Sequence, residues 1–137
     1  MSPDPYVFPE SASLQLKVVQ DYMHSLATFD LNKLATLTTG DFRQITAPAS
    51  LGVPARTKAE DLEFLGQLRD KLQNKPFEVT IYKVNDGIGE TWLHGKLGVP
   101  LDIEVVYLFQ FGVGPYALKI TSVTEFSDSK RLEQIGT

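Results

Sequence analysis

Apolar and polar residues alternate along residues 102–111, a strand-like segment of ten residues without Gly or Pro. Five apolar side chains share one face of this segment: Ile103, Val105, Tyr107, Phe109 and Phe111. The other face is half polar and half apolar: Asp102, Glu104, Val106, Leu108 and Gln110. Alternation of this length predicts a strand with one face in the core. The mixed second face favours a central strand of a curved antiparallel sheet whose back is partly covered.

Three earlier segments show helical spacing instead. Helices are predicted over residues 12–28, 31–37 and 58–73, where apolar side chains recur three and four positions apart. Ser11 or Ser13 can cap the first helix, and Asp30 can cap the second. Thr57 with Glu60 three residues later matches a capping box at the start of the third.

The remaining periodic segments predict strands. They cover residues 42–46, 77–84, 90–97, 102–111 and 116–126, and Asn85-Asp86-Gly87 is a strong hairpin signal. The order α-α-β-α-β-β-β-β predicts an α+β domain, a cone-shaped curved antiparallel sheet with three helices covering its concave face. A small-molecule pocket is expected at the mouth of the cone. We expect an extended N-terminal arm over 1–10, one domain over 11–129 and a tail over 130–137.

The amino-acid composition excludes several classes of function. The chain has 137 residues, a net charge of −4 and no cysteine, which predicts one domain and excludes a disulfide scaffold, a thiolate zinc site and a cysteine nucleophile. The acidic balance argues against nucleic acid as a partner. No apolar run approaches the ~20 residues that span a bilayer, and the first residues do not resemble a secretory signal. We expect a soluble cytoplasmic protein that binds no membrane.

Several short motifs accompany this order of elements: Pro48–Pro54 with Thr57-Lys58, Phe77–Ile81, His94, Glu104 and Glu125–Ser129. Over residues 12–129, the chain resembles the nuclear transport factor 2-like superfamily and, within it, the SnoaL-like branch, especially small fungal members. The resemblance implies the cone fold and dimers that pair through the sheet. It implies no single reaction, because the superfamily includes isomerases, dehydratases, polyketide cyclases, epoxide hydrolases and non-catalytic binding modules.

His94 and Glu104 are the candidate catalytic residues. A histidine in the middle of a strand can act as a general acid or base near neutral pH. If the following hairpin turns near Val99, His94 lies directly opposite Glu104. The carboxylate would then raise the pKa of the imidazole and fix its tautomer, or the two would form an ordinary cross-strand ion pair.

The surroundings of His94 support two interpretations. By resemblance, a scytalone dehydratase-type pocket carries a catalytic histidine on the equivalent strand. The tyrosine and aspartate that assist it there correspond to Leu26 and Ala27 in this chain. Strand alternation also places His94 on the same face as Trp92 and Lys96, which points away from the core and favours a dimer interface.

Five residues are candidates for substrate binding. Tyr22 and Tyr107 lie on apolar faces, where a phenol can donate to a substrate carbonyl or merely pack. Ser122 and Thr124 are polar residues on an apolar face of the last strand, either hydrogen-bonding in the pocket or satisfied by backbone. Arg43 is solvated if its two neighbours face inward. A one-residue bulge would turn it inward, where it could bind a carboxylate or pair with Asp30, as a carboxylate–arginine arrangement does in epoxide-opening relatives.

No cofactor is predicted. The two histidines lie on separate elements without ligand spacing, and no Gly-rich loop joins a strand to a helix. The expected function is therefore a cofactor-independent isomerase, dehydratase or cyclase that uses acid–base chemistry on a hydrophobic polyketide- or terpenoid-like molecule. The alternative is a non-catalytic small-ligand binder or dimeric interaction module of the same fold.

Overall fold

Three helices pack against a six-stranded curved, unclosed mixed sheet. The structure, a computed structural model, describes residues 6–9 and 12–127, so the predicted tail and part of the predicted arm lie outside the described residues. The helices are α1 (Leu14–Ala27), α2 (Leu31–Leu37) and α3 (Lys58–Lys71). The strands are β1 (Thr38–Ala47), β2 (Arg56–Thr57), β3 (Val79–Asp86), β4 (Glu90–Leu97), β5 (Ile103–Phe111) and β6 (Ile120–Ser127). The predicted α+β cone is confirmed.

The sheet has the strand order β2-β1-β6-β5-β4-β3. Strands β3 to β6 form the predicted antiparallel meander, with β5 at its centre. The last strand, β6, also pairs with β1, and these two strands run parallel. The prediction of a wholly antiparallel sheet is therefore corrected at one pairing. The edge strand β2 has only two residues and is too short to show alternation in the sequence.

Side-chain caps explain where the helices begin. Ser13 and Asp30 each accept a hydrogen bond from a backbone N–H in the first turn of α1 and α2. Thr57 and Glu60 form the predicted capping box of α3, with bonds in both directions. Among the helices that the structure describes, none combines the length and apolar character needed to cross a membrane.

A bulge at Thr121 changes the face of β6. Thr121 has no partner opposite it on β5, because the pairing skips one residue there. The extra residue places Ile120 and Glu125 on the same face of the sheet, although they are five positions apart. Ser122 and Thr124 consequently lie on the outer face. Uninterrupted alternation would have placed both on the same face as Ile120.

The core lies between the helices and the inner face of the sheet. Phe109 on β5 is 0% exposed and occupies its centre. Its ring packs edge-to-face against Tyr22 of α1, with 5.3 Å between centroids, and against Tyr107, with 5.9 Å. Because both tyrosines also line the cavity described below, Phe109 connects core packing to the position of their hydroxyl groups.

Candidate functional site

A cavity of about 520 Å³ opens between the inner face of the sheet and the helices. Most of its wall is apolar and includes Leu26, Leu65, Phe77, Leu97, Ile103 and Val105. The polar side chains that line it include Tyr22, Gln44, Arg56, Asp61, Lys71, Tyr107 and Glu125. Its volume lies within the range of small-molecule sites, and a few polar groups in an apolar wall are typical of such sites.

Glu125 is a carboxyl group withdrawn into this cavity. It lies directly across the β5–β6 pairing from Tyr107, whose hydroxyl donates a hydrogen bond to it. The Ser127 hydroxyl donates to Oε2 at 3.2 Å. Burial raises the pKa of Glu125 above its ordinary value of 4.5, although these hydrogen bonds and the charge of Arg56 oppose the shift. The site thus holds a carboxyl whose ionised form is destabilised.

Arg56 and Asp61 form the second charged feature of the cavity. Arg56 is on β2 and Asp61 lies in the first turns of α3, so the Thr57 cap fixes their separation. Arg56 Nε donates to Asp61 Oδ1 at 3.0 Å, and the guanidinium lies 4.1 Å from the centroid of the Phe64 ring. Burial raises the pKa of Asp61, and Arg56 opposes that shift. In residues 6–9 and 12–127, no three acidic or histidine side chains form a group that could hold a metal ion.

The two tyrosines supply hydrogen-bond donors. Burial, reinforced by the charges of Asp61 and Glu125, raises the pKa of Tyr22 well above 10.0. Burial and Glu125 do the same for the pKa of Tyr107. Both phenols therefore remain protonated at neutral pH and can donate to a carboxylate or to an oxygen of a ligand.

Gln44 on β1 is a buried amide at the cavity wall. It is 5% exposed, and its Oε1 has no hydrogen-bond partner among the residues that the structure describes. It pairs with Arg56 across β1–β2. A buried acceptor of this kind calls for an explanation, because most buried polar groups are satisfied.

His94 and Glu104 lie outside the cavity, on the outer face of the sheet. His94 Nε2 is 3.2 Å from Glu104 Oε1, and its ring is 5.2 Å from that of Tyr82. The predicted direct pairing is wrong by two residues, because His94 pairs with Val106 and Glu104 pairs with Lys96. The His94–Glu104 contact therefore runs diagonally across the β4–β5 pair, and the sheet separates it from the cavity.

Of the five predicted substrate-binding residues, only Tyr22 and Tyr107 line the cavity. Arg43 is exposed and donates to backbone carbonyls of its own strand, as expected if its neighbours face inward. Ser122 donates to a side chain on β5 at 2.8 Å, and Thr124 lies on the same outer face. The bulge in β6 accounts for the outward position of both residues.

Sequence reasoning missed the charged residues of the cavity. Asp61 did give a signal, because it lies four residues before Leu65 and so on the buried side of α3. Glu125 gave none, since simple alternation assigns it to the outer face and only the bulge turns it inward. Arg56 belongs to a strand too short to predict.

The raised pKa of Glu125 predicts how stability depends on pH. In the window between its ordinary value of 4.5 and its raised folded-state value, the folded protein binds more protons than the unfolded chain. The free energy of unfolding should therefore fall as pH rises through this window. Glu125→Gln should lack this part of the slope. Thermal unfolding of both proteins from about pH 4 to about pH 8 measures it.

Glu60→Gln is the matched control for that experiment. The hydrogen bonds from Thr57 lower the pKa of Glu60, so ionised Glu60 stabilises the folded protein. This contribution to the free energy of unfolding is lost as the pH falls, which is the opposite of the dependence expected for Glu125. Parallel pH profiles for wild type and Glu125→Gln would contradict the prediction, because they would mean that Glu125 titrates alike in both states.

No protein-family model and no curated protein matches this chain. Solved structures do share its fold. A candidate SnoaL-like polyketide cyclase from Jannaschia sp. matches with a TM-score of 0.68 and 12% identity, covering 93% of this chain and 96% of that one. PrhC from Penicillium brasilianum matches with a TM-score of 0.66 and 10% identity, covering 89% and 85%. A candidate ketosteroid isomerase from Kribbella flavida matches with a TM-score of 0.59 and 18% identity, covering 84% and 78%.

These comparisons identify the nuclear transport factor 2-like fold. At such low identities the likeness shows the fold and carries over no catalytic residue. Cyclase and isomerase assignments both occur among these structures, so the fold alone does not define the chemistry of this chain.

Proposed function

We propose that this protein is a cofactor-independent isomerase, dehydratase or cyclase in which Glu125 moves a proton on a hydrophobic polyketide- or terpenoid-like molecule. The observation that carries the proposal is a carboxyl with a raised pKa inside a largely apolar cavity that also holds protonated phenols. Perturbed carboxyls in clefts are frequent sites of acid–base catalysis. The cyclase and isomerase assignments of structures with this fold agree with it.

Four polar residues have a role in the proposed mechanism. Ionised Glu125 removes a proton from a carbon next to a substrate carbonyl, and the Tyr22 hydroxyl donates to the oxygen of the resulting enolate. Glu125 then returns the proton to another carbon, which gives isomerisation, or to a departing hydroxyl, which gives dehydration and releases water. Tyr107 and Ser127 are positioning residues, because their hydrogen bonds orient the carboxyl.

Asp61 is the weaker candidate for moving the proton. Its Oδ1 is bound by Arg56 at 3.0 Å, and that ion pair stabilises the charged carboxylate and holds it in place. The hydrogen-bond partners of Glu125 are neutral hydroxyls, which restrain it less. In this proposal the Arg56 guanidinium stabilises the negative charge that develops on the substrate oxygen.

Deuterium exchange tests the proposal without knowledge of the natural substrate. The protein is incubated in D₂O with cyclic ketones, including a polyketide-type 1,3-diketone and a terpenoid-type enone, and mass spectrometry follows incorporation next to the carbonyl. We expect incorporation above the rate without protein. Binding without incorporation across the panel would contradict catalysis and support the alternative, a ligand-binding protein of this fold.

We further propose that two copies pair through the outer face of the sheet. Trp92 and Phe126 are 38% and 39% exposed there and stack with their centroids 6.2 Å apart. An exposed aromatic cluster on an uncovered sheet face is typical of an interface. Trp92→Glu should convert a dimer into a monomer in sedimentation experiments, whereas Ile88→Glu, in the β3–β4 turn, should not. A monomeric wild type would contradict the proposal.

A further inference from the structure

The guanidinium of Arg56 has hydrogen-bond donors that the protein does not use. An arginine side chain carries five N–H groups, and in Arg56 the one on Nε donates to Asp61 Oδ1 at 3.0 Å. The terminal nitrogens Nη1 and Nη2 have no hydrogen-bond partner among the described residues. The side chain lines the cavity and is 24% exposed, whereas that of Asp61 is 7% exposed. Four N–H groups of Arg56 thus remain for a ligand.

These terminal nitrogens are also open to a small molecule. In the part of the chain that the structure describes, Gln44 Oε1 is the only unpaired polar atom of a buried or half-buried side chain that is closed to water. Arg56 is half-buried, so its unpaired nitrogens do not share that enclosure. A ligand in the cavity can therefore reach them without displacing protein atoms.

Several contacts hold the guanidinium in place. The backbone of Arg56 is fixed by the pairing of β2 with β1. Its guanidinium lies 4.1 Å from the centroid of the Phe64 ring, and its Nε is bound to Asp61. Stacking on a ring uses the face of a guanidinium and leaves the N–H groups in its plane free. Little further freedom is lost when such a side chain binds a ligand, which favours affinity.

The charges around the cavity favour an anionic ligand at this position. Burial raises the pKa of Tyr22 and of Glu125, and the charge of Arg56 opposes both shifts, so the guanidinium acts on the part of the cavity that holds these two groups. While Glu125 is protonated, the charged side chains of the wall are two cations, Arg56 and Lys71, and one carboxylate, Asp61. A ligand with a single negative charge complements this balance.

We propose that the terminal nitrogens of Arg56 bind a carboxylate of the substrate, so that the cavity prefers keto acids to neutral ketones. The carboxylate accepts two parallel hydrogen bonds in the plane of the guanidinium, the usual geometry of this pair. Two N–H groups remain for the substrate oxygen on which charge develops. A doubly charged phosphate fits less well, because Asp61 is bound to the same guanidinium and most of the wall is apolar. This inference rests on the proposed function only in using the same cavity.

Matched ligands test the proposal. A two-ring ketone is prepared with a carboxylate on the ring that bears the carbonyl, as the methyl ester of that acid and as its primary amide. NMR titration of labelled protein at about pH 7, where the acid is ionised, gives the three dissociation constants. Wild type should bind the acid at least about tenfold more tightly than either neutral analogue, since hydrogen bonds between charged groups are the stronger ones. The Nε–H resonance of Arg56 should also shift more with the acid.

Variants locate the bound carboxylate. Asp61→Asn keeps the guanidinium and removes a competing carboxylate, so it should keep or increase the preference for the acid. Arg56→Gln combined with Asp61→Asn removes both members of the ion pair and leaves neither charge buried without its partner. This double variant, shown to be folded by thermal unfolding, should bind the acid no more tightly than the ester. Arg43→Gln, at an exposed position of β1, should keep the wild-type preference.

Several outcomes would overturn the proposal. Wild type that binds none of the three compounds, or that does not prefer the acid, is one. A folded double variant that keeps the preference is another, as is its complete loss in Lys71→Gln alone, because each would place the carboxylate elsewhere. If the double variant does not fold, the Arg56 resonance in wild type decides, and a shift no larger with the acid than with the ester overturns the proposal.

The same ligands separate this inference from the proposed function. A preference for the acid without deuterium incorporation would keep the carboxylate site and contradict the catalytic role of Glu125. Incorporation into acid and ester alike, with equal affinities, would do the reverse.

Discussion

Glu125→Gln should lower the rate of deuterium incorporation by a factor of about 10²–10⁴, the usual contribution of a general acid–base group. Glutamine keeps the size of the side chain and can still accept the hydrogen bond from Tyr107, but it cannot take up a proton. Ligand affinity should therefore change little. Initial rates at saturating ketone, with dissociation constants from NMR titration, separate the two effects.

The pH dependence of the exchange rate is a second test of the role of Glu125. If the ionised carboxylate is the base, the wild-type rate should rise with pH around a midpoint above 4.5, since burial raises the pKa. His94→Asn is the matched control and should keep the wild-type rate, because His94 is on the outer face. A large loss in Asp61→Asn together with an active Glu125→Gln would assign the proton transfer to Asp61 instead.

Phe109→Ala should destabilise the protein by about 3–5 kcal/mol. The ring is fully buried, and its removal leaves a cavity between α1 and β5 while it deletes two edge-to-face aromatic contacts. Tyr22 and Tyr107 lose the same support, so ligand binding should weaken as well. Urea unfolding at equilibrium measures the loss of stability from the midpoint and slope.

Two further variants provide comparisons for the stability loss in Phe109→Ala. Phe109→Leu keeps most of the buried volume and should lose less stability than Phe109→Ala. Phe126→Ala, on the outer face, should change the stability of the monomer little, because its ring is 39% exposed. A loss below about 1 kcal/mol in Phe109→Ala would contradict a central packing role for this residue.

The parts of this fold that could be predicted from the sequence are those set by local interactions. The bounds of α2 and of β4 agree with prediction, and the Thr57–Glu60 capping box forms as expected. Each depends on residues within a few positions of one another. The alternation of β5 likewise identifies its inner face, because a central strand in an amphipathic sheet must present one apolar side.

The cavity chemistry could not be predicted in the same way, because it depends on pairing between distant segments. Glu125 shares the inner face with Ile120, five positions earlier, only because β6 bulges against β5 between them. Gln44 lies near Glu125 because β1 runs parallel to β6. Neither contact leaves a local pattern. For His94, the local pattern was the better guide. Strand alternation indicated the outer face of the sheet, although the residue type suggested a catalytic role.

The bulge at Thr121 also affects how this strand is compared with relatives. Deleting Thr121 would restore regular pairing and leave Ile120 and Glu125 on the inner face, so the cavity should tolerate that loss. An alignment that counts residues through the strand without allowing for such an insertion would equate Glu125 with an outward position. For structures that share this fold at identities between 10% and 18%, the positions of carboxyl groups should therefore be compared by strand pairing.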